Sequence, residues 1–181
     1  MSIFNGTNFN DYREKLLTAA LTKIHATNDP AAIEDEVIRD FRLAEIGVDW
    51  SALTARAVAT EVYVEAPLSG DPYLFHLRVS TNNDPLPNCS VVLPDGDDPE
   101  RGAMLVWRYT LNQPLNAILN AAQSARTIAA QHVNFVNDGV RLFNQTLDAK
   151  VRETVRQRLL AFQEAAKVAQ AINERLNPAR T

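Results

Sequence analysis

The chain has 181 residues with a formal net charge of −4, and 46% of its residues are apolar. That is enough to bury a core without disulfides, and the acidic balance argues against nucleic acid as a partner held through a basic face. Cys89 is the single cysteine, so an internal disulfide is excluded and a reducing, cytosolic address is expected. The opening residues carry no basic, apolar leader pattern, and no apolar run reaches the roughly 18 residues that would span a bilayer. No membrane partner is therefore expected.

Phe9, Tyr12, Leu16, Ala20 and Ile24 step by three and four, which predicts a helix over residues 8–26. A second helix is expected after Asp29 as cap, with Pro30 at its first position and Glu34, Asp35 and Glu36 in the early turns. Its stripe is Ile33, Val37, Phe41 and Ala44, and Gly47 is the expected stop. The middle reads as sheet. Residues 58–66 and 73–80 alternate with period two around the turn at 68–72, as in an antiparallel hairpin. Residues 90–93 and 103–111 supply two further strands, the second carrying Leu105, Trp107 and Tyr109 on one side. Four strands against two leading helices predict an α+β body.

From residue 113 to 177 the pattern is helical, and Gly139 is the only glycine. One continuous helix of that length would reach about 95 Å. Its apolar stripe then needs a partner chain or a fold back on itself. Asn134, Asn137, Asp138, Gly139, Asn144 and Thr146 are poor helix formers, and they favour a hairpin turn near 144–148 over a continuous coiled-coil arm. The expected organisation is a body, 1–111, and a helical arm, 112–181. Residues 1–110 hold 9 basic and 17 acidic residues (net −8), whereas 111–181 hold 9 basic and 5 acidic (net +4). An acidic body and a basic arm are suited to docking, within one chain or between copies.

Candidate chemistry is sparse. His25, His76 and His132 lie on three different elements without a second ligand at metal spacing, so no metal is expected. The loop 95–100 has four acids but lacks the spacing of a calcium loop. Glu61 and Glu65 stand about 13 Å apart along one strand, too far for an acid–base pair, and are expected on the solvated face. The glycines are isolated, with no phosphate-cradling loop, so no cofactor is expected. The remaining enzymatic option is a site assembled from Cys89 and His76, which needs a base within reach of the thiol.

Val62-Tyr63-Val64, the stretch Gly70 to Thr81, and the later stretch Phe143 to Leu160 together resemble a bacterial domain of unknown function. In that pattern a strand ends in a Gly-Asp turn, a Leu-Phe pair and Arg-x-Ser-Thr follow, and then come a final strand and two helices. Val79 stands where the pattern has proline. Such domains precede effector modules in proteins that look like anti-phage or signalling systems. The resemblance implies the non-catalytic part of such a system and brings no catalytic residues.

The reading that follows is a non-enzymatic interaction and oligomerisation module, a scaffold or accessory part of a bacterial defence system. Its protein-contact candidates are Trp107, Phe143, Leu147, Val151, Val155 and Leu159. The expected partner is a second copy or a heterologous protein. The alternative is a small acidic cytosolic chaperone or immunity-type protein that masks another protein through an apolar patch on the sheet or leading helices.

Overall fold

The computed structural model describes residues 8–77, 88–93 and 102–176. The chain is α+β: three helices, a small antiparallel sheet of five strands and, as the last of the helices, a long C-terminal one. The helices are α1 (Phe9–Ala26), α2 (Glu34–Phe41) and α3 (Leu115–Leu176). The strands are β1 (Gly47–Val48), β2 (Thr54–Val58), β3 (Glu61–Ser69), β4 (Ser90–Val92) and β5 (Met104–Thr110).

The contact pattern divides the chain into two compact units, neither of which is a single stretch of sequence. The first is Met1–Arg13 with Leu43–Phe143, and the second is Glu14–Arg42 with Asn144–Thr181. The division runs through α1 and α3. α1 is buried at Phe9 in the first unit and at Ala20 and Ile24 in the second, and α3 is buried from Ile118 to Phe143 in the first and from Leu147 to Val155 in the second.

In the first unit β3 is the central strand. One of its edges pairs with β5 over seven residue pairs, from Glu61↔Thr110 to Pro67↔Met104. Its other edge pairs with β2 near the start and with β1 near the end. β4 extends the sheet beyond β5. Alternate residues Val64, Ala66 and Leu68 of β3, with Leu105 and Trp107 of β5, enter a core with Phe9 of α1 and Ala129, Val133, Val136 and Val140 of α3. The opposite face is a charge network. Arg56 Nε donates to Glu65 Oε1 at 2.8 Å and its guanidinium lies 4.7 Å from the Tyr63 ring centroid. The Tyr63 hydroxyl donates to Glu61 Oε2 at 2.5 Å, and Arg108 approaches Glu61 at 3.3 Å. Glu65 is buried rather than on the solvated face expected for it, because it lies under the Arg56 contact.

Three local expectations are corrected. The hairpin is β2–β3, with Ala59 and Thr60 as its two-residue turn and Ala59 at φ 53°. The segment read as a strand from Tyr73 is a 3-10 turn over Pro72–His76, started by Asp71, whose Oδ1 accepts from Tyr73 N at 2.9 Å. Residues 78–80 of that segment lie outside the described residues, as does the acidic loop 95–100. The second helix is shorter than expected. Asp29 Oδ1 accepts from Ala32 N and Pro30 starts a turn, but α2 begins only at Glu34, and the backbone is extended by Arg42.

In the second unit α1 supplies Ala20 and Ile24, α2 supplies Val37 and Ile38, and α3 supplies Leu147, Val151 and Val155, all buried. Ion pairs join the helices at the surface. Lys23 of α1 meets Glu36 and Asp40 of α2, and Arg152 of α3 meets Glu34. Arg42, just past α2, meets Asp148 at 3.0 Å. Such exposed pairs set orientation more than stability. The Arg158 guanidinium also donates to the Ile24 carbonyl near the end of α1. The hairpin turn favoured near 144–148 does not form. Phe143, Leu147 and Val151 are spaced by four and fully buried, and burial at about 1.5–3 kcal/mol per large side chain outweighs the weak propensity of Asn144 and Thr146.

Candidate functional site

β5 brings Trp107 and Tyr109 to the α3-facing side of the sheet, two residues apart and therefore on one face. Register places Val64 of β3 beside Trp107. On α3, Leu119, Ala122, Gln123 and Arg126 recur at three, four and seven, so they share one face. Further along α3, Ala129, Val133 and Val136 close the interface with the sheet. At the preceding turns it opens into a cleft of about 410 Å³, lined by these α3 and strand residues and by Leu53. The volume falls in the usual range of small-molecule sites, about 300–1,000 Å³.

The polar groups of the cleft lean one way. Arg126 stacks on Trp50 at 5.5 Å from the ring centroid, and Trp50 in turn packs against Trp107 at 6.2 Å. Among the described residues no carboxylate lines the cleft and Arg126 has no acidic partner. The indole N–H of Trp107 is buried and finds no acceptor among the described residues. Burial, with the nearby Cys89 thiol as a smaller cause, raises the pKa of Tyr109, which keeps its hydroxyl protonated as a donor.

A second feature is the distal part of α3. Every residue from 159 to 176 is exposed. Leu159 (37%), Phe162 (41%), Ile172 (51%) and Leu176 (73%) continue the buried stripe beyond Val155, with Ala166 and Ala169 between them. Arg158 lies over the Phe162 ring at 5.1 Å, and Lys167 pairs with Glu164 at 2.7 Å.

Of the six residues expected to make contacts, Trp107, Phe143, Leu147, Val151 and Val155 are at most 3% exposed and serve the chain's own packing. Leu159 is the exception and marks where the free stripe begins. Cys89 is half-buried, and burial pushes its thiol up to about 12, so it is protonated at neutral pH and unsuited to nucleophilic attack. His132 is buried, with Nε2 at 2.9 Å from the Phe75 carbonyl. No group of three His, Cys, Asp or Glu side chains among the described residues could hold a metal ion. No helix among them is long and apolar enough to cross a membrane.

The cleft went unread in the sequence, although a signal existed. Arg126 is the only Lys, Arg, Asp or Glu between Pro114 and Asp138, a lone charge in an alanine-rich helical run. No family model, no curated protein and no solved structure matches this chain.

Proposed function

We propose that the protein is a non-enzymatic interaction module that assembles with a second copy of itself through the distal segment of α3. The observation that carries this reading is the apolar stripe Leu159, Phe162, Ile172 and Leu176, exposed along a helix whose earlier turns use the same stripe for burial. Small residues at Ala166 and Ala169 allow close helix–helix approach, and apolar residues spaced by three and four form a seam between paired helices. In the setting implied by the resemblance above, such a module is a scaffold or accessory part of a bacterial defence or signalling system, working in the cytosol.

The experiment is absolute mass by light scattering on the wild type and on the double variant Phe162→Glu, Ile172→Glu. A species at twice 20.1 kDa or larger is expected for the wild type, and a monomer for the variant. A wild-type monomer at high concentration overturns self-assembly. That result would favour the alternative reading, a protein that masks a different partner through an apolar patch on the sheet or leading helices.

A further inference from the structure

We propose that the cleft between α3 and the sheet binds a small carboxylic acid with a flat apolar body, such as an aromatic acid. The inference is independent of the assembly reading, because no residue of the distal helix takes part in it.

Charge supplies the first argument. Arg126 brings a guanidinium to the cleft wall, and among the described residues neither an ion-pair partner nor a lining carboxylate answers it. The Arg126 guanidinium lies over the Trp50 ring, and its planar fork is the geometry that a carboxylate matches with two parallel hydrogen bonds. Hydrogen-bonding capacity supplies the second. Beside Arg126, the residues around the cleft include Gln123 and Tyr109, whose amide and hydroxyl are hydrogen-bond donors. Shape and polarity supply the third. Leu53, Val64, Leu119 and Ala122 form apolar walls around a volume that suits one small molecule. A phosphate or nucleotide fits less well, since the α3 residues concerned lie past the first turn of the helix, whose free N–H groups would hold a phosphate.

The test is calorimetric titration of the full chain with 2-naphthoate, and with 2-naphthamide as the same body without charge. Quenching of emission from Trp50 and Trp107, the only two tryptophans, is followed in parallel. One saturable site per chain is expected for the acid, with the amide weaker by about tenfold or more. Arg126→Gln is expected to weaken the acid by a similar factor and leave the amide unchanged. Ala122→Phe is expected to fill the cleft and abolish both. Arg126 is exposed, so its variant keeps the fold and carries the test even if the fold does not accommodate the larger side chain of Ala122→Phe. Absence of saturable binding up to millimolar acid overturns the proposal. So does equal binding of acid and amide, or acid binding that is indifferent to Arg126→Gln.

Discussion

Asn137, buried in the middle of α3, holds both backbone polar groups of Ile46. Its Oδ1 accepts from Ile46 N at 2.9 Å and its Nδ2 donates to Ile46 O at 2.8 Å. The side-chain amide thus does for the segment before β1 what a neighbouring strand would do. Replacing Asn137 by Ala leaves a buried N–H and a buried C=O without partners. The expected loss of stability is about 3 kcal/mol, read from urea unfolding. A loss below about 1 kcal/mol would mean that water reaches Ile46 in the folded chain.

Gly139 sits two residues on, where a Cβ would lie 2.4 Å from Cε1 of Phe9. Alanine is the better helix former by about 1 kcal/mol, so propensity predicts a gain at this site. The contact predicts the reverse, and Gly139→Ala should destabilise by about 1–3 kcal/mol. Shortening the ring in Phe9→Leu should relieve the clash, so the double variant should be less destabilised than the sum of the two singles. Additive losses would show that the two positions do not meet.

Burial holds the His132 ring below its ordinary value of 6.5, with the nearby His76 acting in the same direction and the Phe75 carbonyl opposing. His76 is itself lowered by burial. Just below pH 6.5 the unfolded chain therefore binds more protons than the folded one. This contribution to stability is complete above about 6.5 and is lost as pH falls through that value. Wild type should lose stability between pH 7.5 and 5.5. His132→Gln, which keeps a donor for Phe75, should lose less over that window. Identical slopes for the two proteins would assign the pH dependence elsewhere.

With its thiol at about 12, Cys89 should be almost wholly protonated at pH 8. Its alkylation by iodoacetamide should run about a thousandfold slower than that of a free cysteine, in proportion to thiolate. Unfolding in urea should restore the ordinary rate. Fast labelling of the native chain would reopen Cys89 as a reactive group.

The legible parts of the fold are those where one face is buried and the other wet. α1 shows its stripe from Phe9 to Ile24, and β5 alternates around Leu105 and Trp107. β2 was illegible because all five of its residues are exposed, so its pairing leaves no hydrophobic period. Its turn, Ala59-Thr60, lacks the Asn-Gly or Asp-Gly signal of a two-residue hairpin. The stretch from Tyr73 to Leu77 imitates a strand because Tyr73, Phe75 and Leu77 alternate, yet Leu74 is buried on the other parity. Asp71 and Pro72 start a helical turn there instead. The asparagines of α3 read as a break because propensity knows nothing of Ile46, whose backbone gives Asn137 its reason to be in a helix. The cleft needed β5 and α3 side by side, which no local spacing reveals.

The interleaving of the two units bears on the order in which the chain is made. Ribosomal synthesis delivers α1 and α2 long before α3, but the unit of Glu14–Arg42 needs the residues after Asn144. The unit holding the sheet needs the earlier half of α3, up to Phe143, and so has all its parts first. Until the residues after Asn144 follow, Ile24, Val37 and Ile38 lack the α3 side chains of their unit. A chain held on the ribosome until residue 143 has cleared the exit tunnel should therefore show a folded sheet unit beside a helix pair that is not yet covered.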